Sequence, residues 1–218
     1  GLGHKISLRE LTDFLDNDGR AFALQKKMYI TRAGAFTNQL FSFVPTQREI
    51  EQKVFIPGDR CIPFVDLDVL SYSLTFEFMG RELPKKNFET DCNTARDLFY
   101  LYGDEFSAQY ISSDPACENL HIAENDFELP PRLSLTGISL EPVFEQVDFH
   151  YGDRIMCRVY DWNKGILEIM PMKSLKLNPF QISKEDMERQ KWYDILESAL
   201  LESFDRMGPC SSIEEQLA

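Results

Sequence analysis

VFIPGDRCIPFVD, residues 54–66, resembles a second stretch of the same chain, DFHYGDRIMCRVYD, residues 148–161. Each contains Phe, two residues, Gly-Asp-Arg and a mostly apolar run that ends in Asp. Glycine adopts backbone conformations that are costly for other residues, and a neighbouring Asp can accept hydrogen bonds from the amides of its own turn. The pattern therefore predicts a tight turn that leads into a β-strand, used twice, and so two related hairpins.

The same residues support a second, functional hypothesis. Asp59 and Arg60 could meet Asp153 and Arg154 in a cleft shared by the two hairpins, where a guanidinium fork would bind a carboxylate or a phosphate. These four side chains are the candidate ligand-binding residues. The hypothesis of a repeated turn and strand explains the pattern without a ligand, and we favour it.

The composition indicates a folded chain with a substantial core. Of the 218 residues, 43% are hydrophobic and 17 are Phe, and one such ring can bury roughly 150–250 Å² of surface. No run approaches the ~20 apolar residues that a membrane-spanning helix needs. We therefore expect a globular protein that does not insert into a membrane.

The charge is distributed unevenly along the chain. The net charge is −13, from 23 Lys and Arg against 36 Asp and Glu. Residues 1–60 contain nine of the basic and seven of the acidic residues, which leaves 14 basic and 29 acidic residues for 61–218. Because an acidic surface repels phosphates, any contact with nucleic acid is expected in residues 1–60.

The cysteines argue against both a disulfide framework and a zinc site. They are odd in number, widely spaced and never arranged as C-x-x-C, whereas those structures use even sets or close pairs. The sequence therefore predicts free thiols and a cytoplasmic protein. The five are Cys61, Cys92, Cys117, Cys157 and Cys210.

Two capping boxes organise the N-terminal part, one at residues 7–10 and one at 46–49. Between the helices that they begin, residues 21–30 are predicted as a strand and 32–39 as a short helix. This order is compatible with a winged helix, in which a β-hairpin follows the recognition helix. On that hypothesis Arg32 and Arg48 are the candidate nucleic-acid contacts.

The middle of the chain is predicted to be rich in β-structure. Residues 70–78 alternate between apolar and polar side chains, as expected of a half-buried strand. Residues 91–111 are predicted as a helix that Gly103 either weakens or divides, and 112–131 as an exposed, acidic loop. Further strands are expected at 132–140, 154–161 and 165–171, the last two forming a hairpin.

A long amphipathic helix is predicted at residues 184–207. Its apolar residues recur at helical spacing, acidic residues crowd its first turn, and Gly208-Pro209 ends it. Residues 211–214 form a third capping box shortly before the chain ends. We therefore expect a further region after residue 218.

Few residues suggest catalytic chemistry. Asp148 and His150 would share one face of a strand and make a two-ligand start for a metal site, although the sequence offers no third ligand. Cys157 and His150 could act as nucleophile and base, but Cys157 lies in an apolar run, where a core thiol is expected. No nucleophile-elbow, P-loop or dinucleotide-binding motif is present, so no cofactor is predicted.

The sequence thus predicts an α+β protein in three parts. Residues 1–66 form a small helix-rich module, 67–180 a mainly antiparallel β body with the two related hairpins, and 181–218 a C-terminal helical segment. The favoured function is a non-enzymatic binding or scaffold module of a larger cytoplasmic protein, with a protein as its partner. The alternatives are a nucleic-acid-associated regulator that acts through residues 1–60, and a metal-dependent hydrolase.

Overall fold

The structure is a computed structural model that describes residues 6–17, 21–25, 28–66, 68–173 and 179–208. It is an α+β protein, as predicted. The α-helices are α1 (Leu8–Asn17), α2 (Arg32–Phe36), α3 (Gln47–Gln52), α4 (Cys92–Asp97), α5 (Asp104–Ser112), α6 (Glu141–Gln146) and α7 (Pro179–Met207). The strands are β1 (Ala21–Gln25), β2 (Met28–Thr31), β3 (Leu40–Phe43), β4 (Val54–Phe55), β5 (Thr75–Phe78), β6 (Arg81–Glu82), β7 (Lys85–Asp91), β8 (Arg132–Ser139), β9 (Arg154–Asp161) and β10 (Ile166–Met172).

The larger sheet has five strands in the order β3-β9-β10-β5-β6. Neighbouring strands of this sheet are antiparallel, except for β10 and β5, which are parallel to each other. The predicted hairpin of β9 and β10 is present. Ile155, Cys157 and Val159 of β9 are fully buried, because alternate residues of a strand point to the same face.

The smaller sheet has three antiparallel strands in the order β4-β8-β7. It separates two apolar clusters, since neighbouring residues of β4 point to opposite sides. Phe55 belongs to the main core, together with residues of the five-stranded sheet. Val54 and Ile56 belong to a second core, together with α4, α5 and two 3₁₀ helices, Pro115–Leu120 and Ile122–Asn125.

Both described capping boxes form as predicted. The amide of Ser7 donates to the Glu10 carboxylate at 2.8 Å, and the Glu10 amide donates to the Ser7 hydroxyl at 3.2 Å. Thr46 and Glu49 make the same reciprocal pair at α3. Instead of the one strand predicted at 21–30, however, the described residues form two antiparallel strands, β1 and β2, which accounts for the imperfect alternation. The winged-helix arrangement stays a prediction.

The two Gly-Asp-Arg stretches do not form related hairpins, so that prediction was wrong. At 152–154 the chain turns and enters β9, as expected, but Gly58–Cys61 is a 3₁₀ helix and the next described strand is β5. The difference arises from tertiary contacts. The Asp59 amide donates to the Leu98 carbonyl at 2.9 Å, which holds the first stretch against the segment between α4 and α5.

Two other predictions need correction. Residues 70–73 are not strand: Ser71–Ser73 is a 3₁₀ helix, and the Ser71 hydroxyl accepts a hydrogen bond from the Gly58 amide. Residues 112–131 are not merely an exposed loop, because Cys117 and Ile122 are almost fully buried in the second core. Short helices therefore cover one face of the three-stranded sheet. Gly103 was predicted either to weaken or to divide the 91–111 helix, and the structure shows a division: α4 ends at Asp97 and α5 begins directly after Gly103.

The C-terminal helix is confirmed, and it begins before residue 184. Its described apolar side chains are largely exposed, with Ile195 and Leu201 each at 58%. The third predicted capping box, at 211–214, lies outside the described residues. The division into three parts stays a prediction; β3 and β4, from 1–66, pair with β9 and β8.

Candidate functional site

Asp59 and Arg60 are engaged within the fold. The Asp59 carboxylate accepts a hydrogen bond from the Leu101 amide at 2.9 Å, and burial raises the pKa of this carboxyl. Arg60 forms a two-pronged pair with the buried Glu49 carboxylate, at 2.5 and 3.2 Å. Its guanidinium also lies over the Phe43 ring, 4.6 Å from the centroid. These contacts join 3₁₀ helix Gly58–Cys61 to α3, to the main core through Phe43, and to the segment between α4 and α5.

Asp153 and Arg154 contact other parts of the chain. The buried Asp153 carboxylate accepts a hydrogen bond from the His150 amide at 2.8 Å and so closes the turn before β9. Arg154 is exposed and donates to the Ser42 hydroxyl at 3.3 Å. Each Asp–Arg pair thus has its own partners, and a ligand site shared by the four residues stays a prediction.

The candidate metal ligands Asp148 and His150 lie next to each other at the surface. His150 Nε2 lies 3.2 Å from Asp148 Oδ1, and Lys173 Nζ lies 3.5 Å from Asp148 Oδ2. Among the described residues, no group of three or more His, Cys, Asp or Glu side chains is placed to hold a metal ion. Binding of a metal by Asp148 and His150 stays a prediction.

The two candidate nucleic-acid contacts lie in different surroundings. Arg32 is the first residue of α2 and is half-buried. Arg48 lies on α3, where its guanidinium makes an ion pair with Asp91 at 3.1 Å. Arg48 also lines a surface cleft that the sequence did not predict.

This cleft has a volume of about 590 Å³ and crosses the β7–β8 pair. Residues 89–91 of β7 and 132–134 of β8 line it, together with Arg48 from α3 and with Ala116 and Leu120 from the 3₁₀ helix Pro115–Leu120. A volume of this size is typical of sites that bind small ligands or peptide side chains. We call these residues the β7–β8 cleft.

Hydrogen bonds fix both sides of the β7–β8 cleft. On the β7 side, the Gln52 side chain of α3 exchanges two hydrogen bonds with the Glu89 backbone, at 2.9 and 3.0 Å. On the β8 side, the buried Asp114 carboxylate accepts from the Thr136 amide and hydroxyl, at 2.8 and 2.5 Å. The cleft is therefore built on strands that are held from both edges.

Asp91 is the best-anchored charge in the cleft. It caps α4 by accepting hydrogen bonds from the Thr94 amide at 3.0 Å and the Thr94 hydroxyl at 2.9 Å. These bonds, together with the one from Arg48, lower the pKa of the Asp91 carboxyl to about 2. Asp91 is consequently ionised at neutral pH and is unsuited to act as a general acid.

Two other charged groups in the cleft are available to a ligand. The Arg132 guanidinium is exposed and makes no hydrogen bond or ion pair with any described residue. The Glu89 carboxylate is also exposed and has no partner of its own in the part of the chain that the structure describes. Arg132 faces Asp91 across the sheet, and Glu89 faces Ser134, so the two available charges are diagonal neighbours.

The described residues that line the cleft include the carboxylates of Glu89 and Asp91 and the hydroxyls of Thr90 and Ser134, and no His, Cys or Lys. Three described thiols lie in the cores, where burial raises the pKa of Cys61 and of Cys117 to about 12 and that of Cys157 well above its ordinary value. Buried thiols of this kind are unreactive.

Sequence reasoning missed the cleft for an identifiable reason. The residues on β7 and β8 are separated by about forty positions in the chain, and residues 85–91 were not predicted as a strand. A usable signal is the alternation of Phe88 and Thr90, which are buried, with Asn87 and Glu89, which are exposed. This alternation is typical of a strand with one solvated face.

Comparisons with family models, curated proteins and solved structures give no match. Within the described residues, no helix is both long enough and apolar enough to cross a membrane.

Proposed function

We propose that the protein is a non-enzymatic, cytoplasmic binding module, and that it binds a segment of a partner protein in the β7–β8 cleft. The observation that carries this proposal is Arg132, an exposed guanidinium in a concave site that has no partner among the described residues. An arginine at a recognition site commonly binds an acidic group through its planar fork of donors.

The build of the cleft also supports a binding role. Its charged groups lie on paired strands rather than on a free loop, and sites on rigid elements lose less conformational entropy when they bind. Leu120 and Ala116 add an apolar wall. Charged groups beside an apolar surface suit a peptide, which offers both kinds of contact.

Peptide display tests the proposal. A library of peptides is selected against the full chain, and the enriched peptides are tested on Arg132→Glu and on a matched control, Arg81→Glu. Arg81 is another exposed arginine, on β6 of the five-stranded sheet. We expect binding to be lost with Arg132→Glu and kept with Arg81→Glu. Selected peptides that bind both variants equally well would refute the proposal.

The nucleic-acid alternative has less support from the geometry. Arg48 is paired with Asp91, so nucleic acid would have to displace an internal partner. A salt-dependent affinity for nucleic acid that disappears in Arg32→Glu/Arg48→Glu would favour this alternative. The display experiment and this one use the same protein and can be run side by side.

A further inference from the structure

The two available charges in the β7–β8 cleft have opposite signs and a fixed spacing. Arg132 pairs with Asp91 in the register of the sheet, and Glu89 lies two residues before Asp91 on the same strand. Diagonal neighbours of this kind have Cα atoms about 7–8 Å apart in an antiparallel pair. Because residues separated by two positions share a face, both side chains lie on the same side of the sheet.

Neither Arg132 nor Glu89 forms an ion pair with a described neighbour of opposite charge. Asp91 faces Arg132 but is engaged by Thr94 and Arg48. Arg132 and Glu89 do not form an ion pair with each other or with another described residue. The cleft therefore presents a cation and an anion side by side, and both are open to solvent.

An extended peptide has a matching spacing. Its side chains at positions i and i+2 lie on one side, separated by two residue rises of about 3.2–3.4 Å each. An acidic side chain and a basic side chain two residues apart would thus reach Arg132 and Glu89 together. A purely acidic segment would place its second charge against Glu89, and like charges in such positions destabilise binding.

We propose that the β7–β8 cleft binds an extended peptide segment in which an acidic and a basic side chain are two residues apart, the acidic one paired with Arg132 and the basic one with Glu89. This inference rests on the proposed function and names the class of segment recognised. The net charge of the chain, −13, agrees with it, because a segment that carries a basic residue is repelled less than a purely acidic one.

Three short peptides test this on the full chain. They are Val-Glu-Val-Lys-Val, Val-Glu-Val-Gln-Val and Val-Gln-Val-Lys-Val, each acetylated and amidated so that the termini are uncharged. The valines favour an extended backbone. Affinity is measured by titration while NMR follows the backbone amide signal of Ser134, which faces Glu89 and lies two residues after Arg132. We expect the mixed peptide to bind about three- to fivefold more tightly than either other peptide, as a partly exposed ion pair allows.

Variants of the protein test which peptide charge pairs with Arg132 and which pairs with Glu89. Glu89→Gln should abolish the affinity gained from the peptide Lys and keep the affinity gained from the peptide Glu. Arg132→Gln should abolish the gain from Glu and keep the gain from Lys. The control, Arg81→Gln, should change neither. All three residues are exposed, and an unchanged unfolding midpoint checks that each variant is folded. If the acidic peptide binds as tightly as the mixed one and Glu89→Gln has no effect, the mixed-charge inference is wrong and the binding module stands. If no peptide shifts the Ser134 signal, and peptides selected by display bind the Arg132→Glu variant as tightly as the unchanged protein, both the mixed-charge inference and the proposed binding module are wrong.

Discussion

At the scale of single residues, Glu49 shows how much one buried charge can organise. Its side chain is 1% exposed, and its carboxylate accepts from the Thr46 amide, the Ile56 amide and the Arg60 guanidinium. A charge this deep is tolerated only when it is fully paired. The capping box was visible in the sequence, but its role as a link between α3 and the Gly-Asp-Arg stretch was not.

We expect Glu49→Ala to lower the free energy of unfolding by about 3–5 kcal/mol, because removal of one partner leaves Arg60 unpaired in a poorly solvated site. Chemical denaturation measures the change. The exposed Glu51 of the same helix provides the control, and Glu51→Ala should cost less than about 0.5 kcal/mol. The double variant with Arg60→Ala should cost less than the sum of the two single changes; additive costs would contradict the pairing.

Thr90, unlike Glu49, has a buried polar group that is not paired with a described residue. It is 1% exposed, and its hydroxyl has no hydrogen-bond partner among the described residues. Thr90→Val removes this polar atom and keeps the shape and the β-branching. We expect the free energy of unfolding to stay unchanged or to rise by about 1 kcal/mol.

Thr136 on the neighbouring strand is the matched control for Thr90→Val. Its hydroxyl donates to the buried Asp114 carboxylate at 2.5 Å. Thr136→Val should therefore lower the free energy of unfolding by about 1–3 kcal/mol. Equal effects at the two positions would show that the Thr90 hydroxyl has a partner in solution.

At the scale of elements, the two Gly-Asp-Arg stretches show that one short motif can adopt two structures. Both glycines have positive φ, +52° at Gly58 and +95° at Gly152. A Cβ on Gly58 would lie 2.2 Å from the Leu98 carbonyl oxygen, whereas a Cβ on Gly152 would meet nothing within 4 Å. A side chain at position 58 is thus opposed by packing as well as by the positive φ, whereas a Cβ at position 152 meets no neighbouring atom.

We expect Gly152→Ala to cost about 1–2 kcal/mol of unfolding free energy, since the positive φ is then the main penalty. Gly58→Ala should cost clearly more, because its new methyl group also collides with the backbone of a neighbouring segment. Denaturation midpoints of the two variants give the comparison. Equal costs would mean that the contact between Gly58 and Leu98 is looser than the structure indicates.

The cap of α4 predicts how the fold responds to acid. Hydrogen bonds lower the pKa of the Asp91 carboxyl from 3.8 to about 2 in the folded protein. A group whose pKa is lower in the folded state stabilises the fold above its unfolded value and loses that contribution as the pH falls. The contribution of the Asp91 carboxylate to stability is therefore lost between pH 3.8 and about 2.

We expect Asp91→Asn to flatten the decline of stability in that acidic window, because Asn can cap the helix without titrating. Unfolding curves at several pH values measure the slope. Glu118→Gln, an exposed change in the 3₁₀ helix Pro115–Leu120, should leave the slope as it is. An unchanged slope in Asp91→Asn would show that other carboxyls dominate the acid response.

At the scale of the whole molecule, the two cores determine which thiols can react. Cys61 and Cys157 lie in the main core and Cys117 in the second core, whereas Cys92 is half-buried at the start of α4. Burial raises the pKa of the Cys61 thiol to about 12, and only a thiolate attacks an alkylating reagent efficiently.

We therefore expect an alkylating reagent at pH 8 to modify Cys92 in the native protein and to leave Cys61, Cys117 and Cys157 unmodified until the chain unfolds. Mass spectrometry of digested samples identifies the sites. Rapid native labelling of Cys61 or Cys157 would mean that the main core opens far more often than its burial implies.

Features that depend on neighbours along the chain could be predicted from the amino-acid sequence. The capping boxes at α1 and α3 place their own partners three residues away, and the hairpin of β9 and β10 needs only two alternating runs and a turn. The same holds for the division of the 91–111 helix at Gly103. Local hydrogen bonds and side-chain periodicity fix these elements, so a single sequence carries the information.

Features that join distant residues could be seen only in the three-dimensional structure. Gly58–Cys61 is a 3₁₀ helix because Leu98 and Leu101 bind Asp59 from about forty residues away. Arg60 turns inward because Glu49 lies beside it. The β7–β8 cleft exists because the sheet register places Glu89 and Arg132 diagonally across two strands. Register depends on which strands pair, and packing of the two cores, not local sequence, selects that pairing.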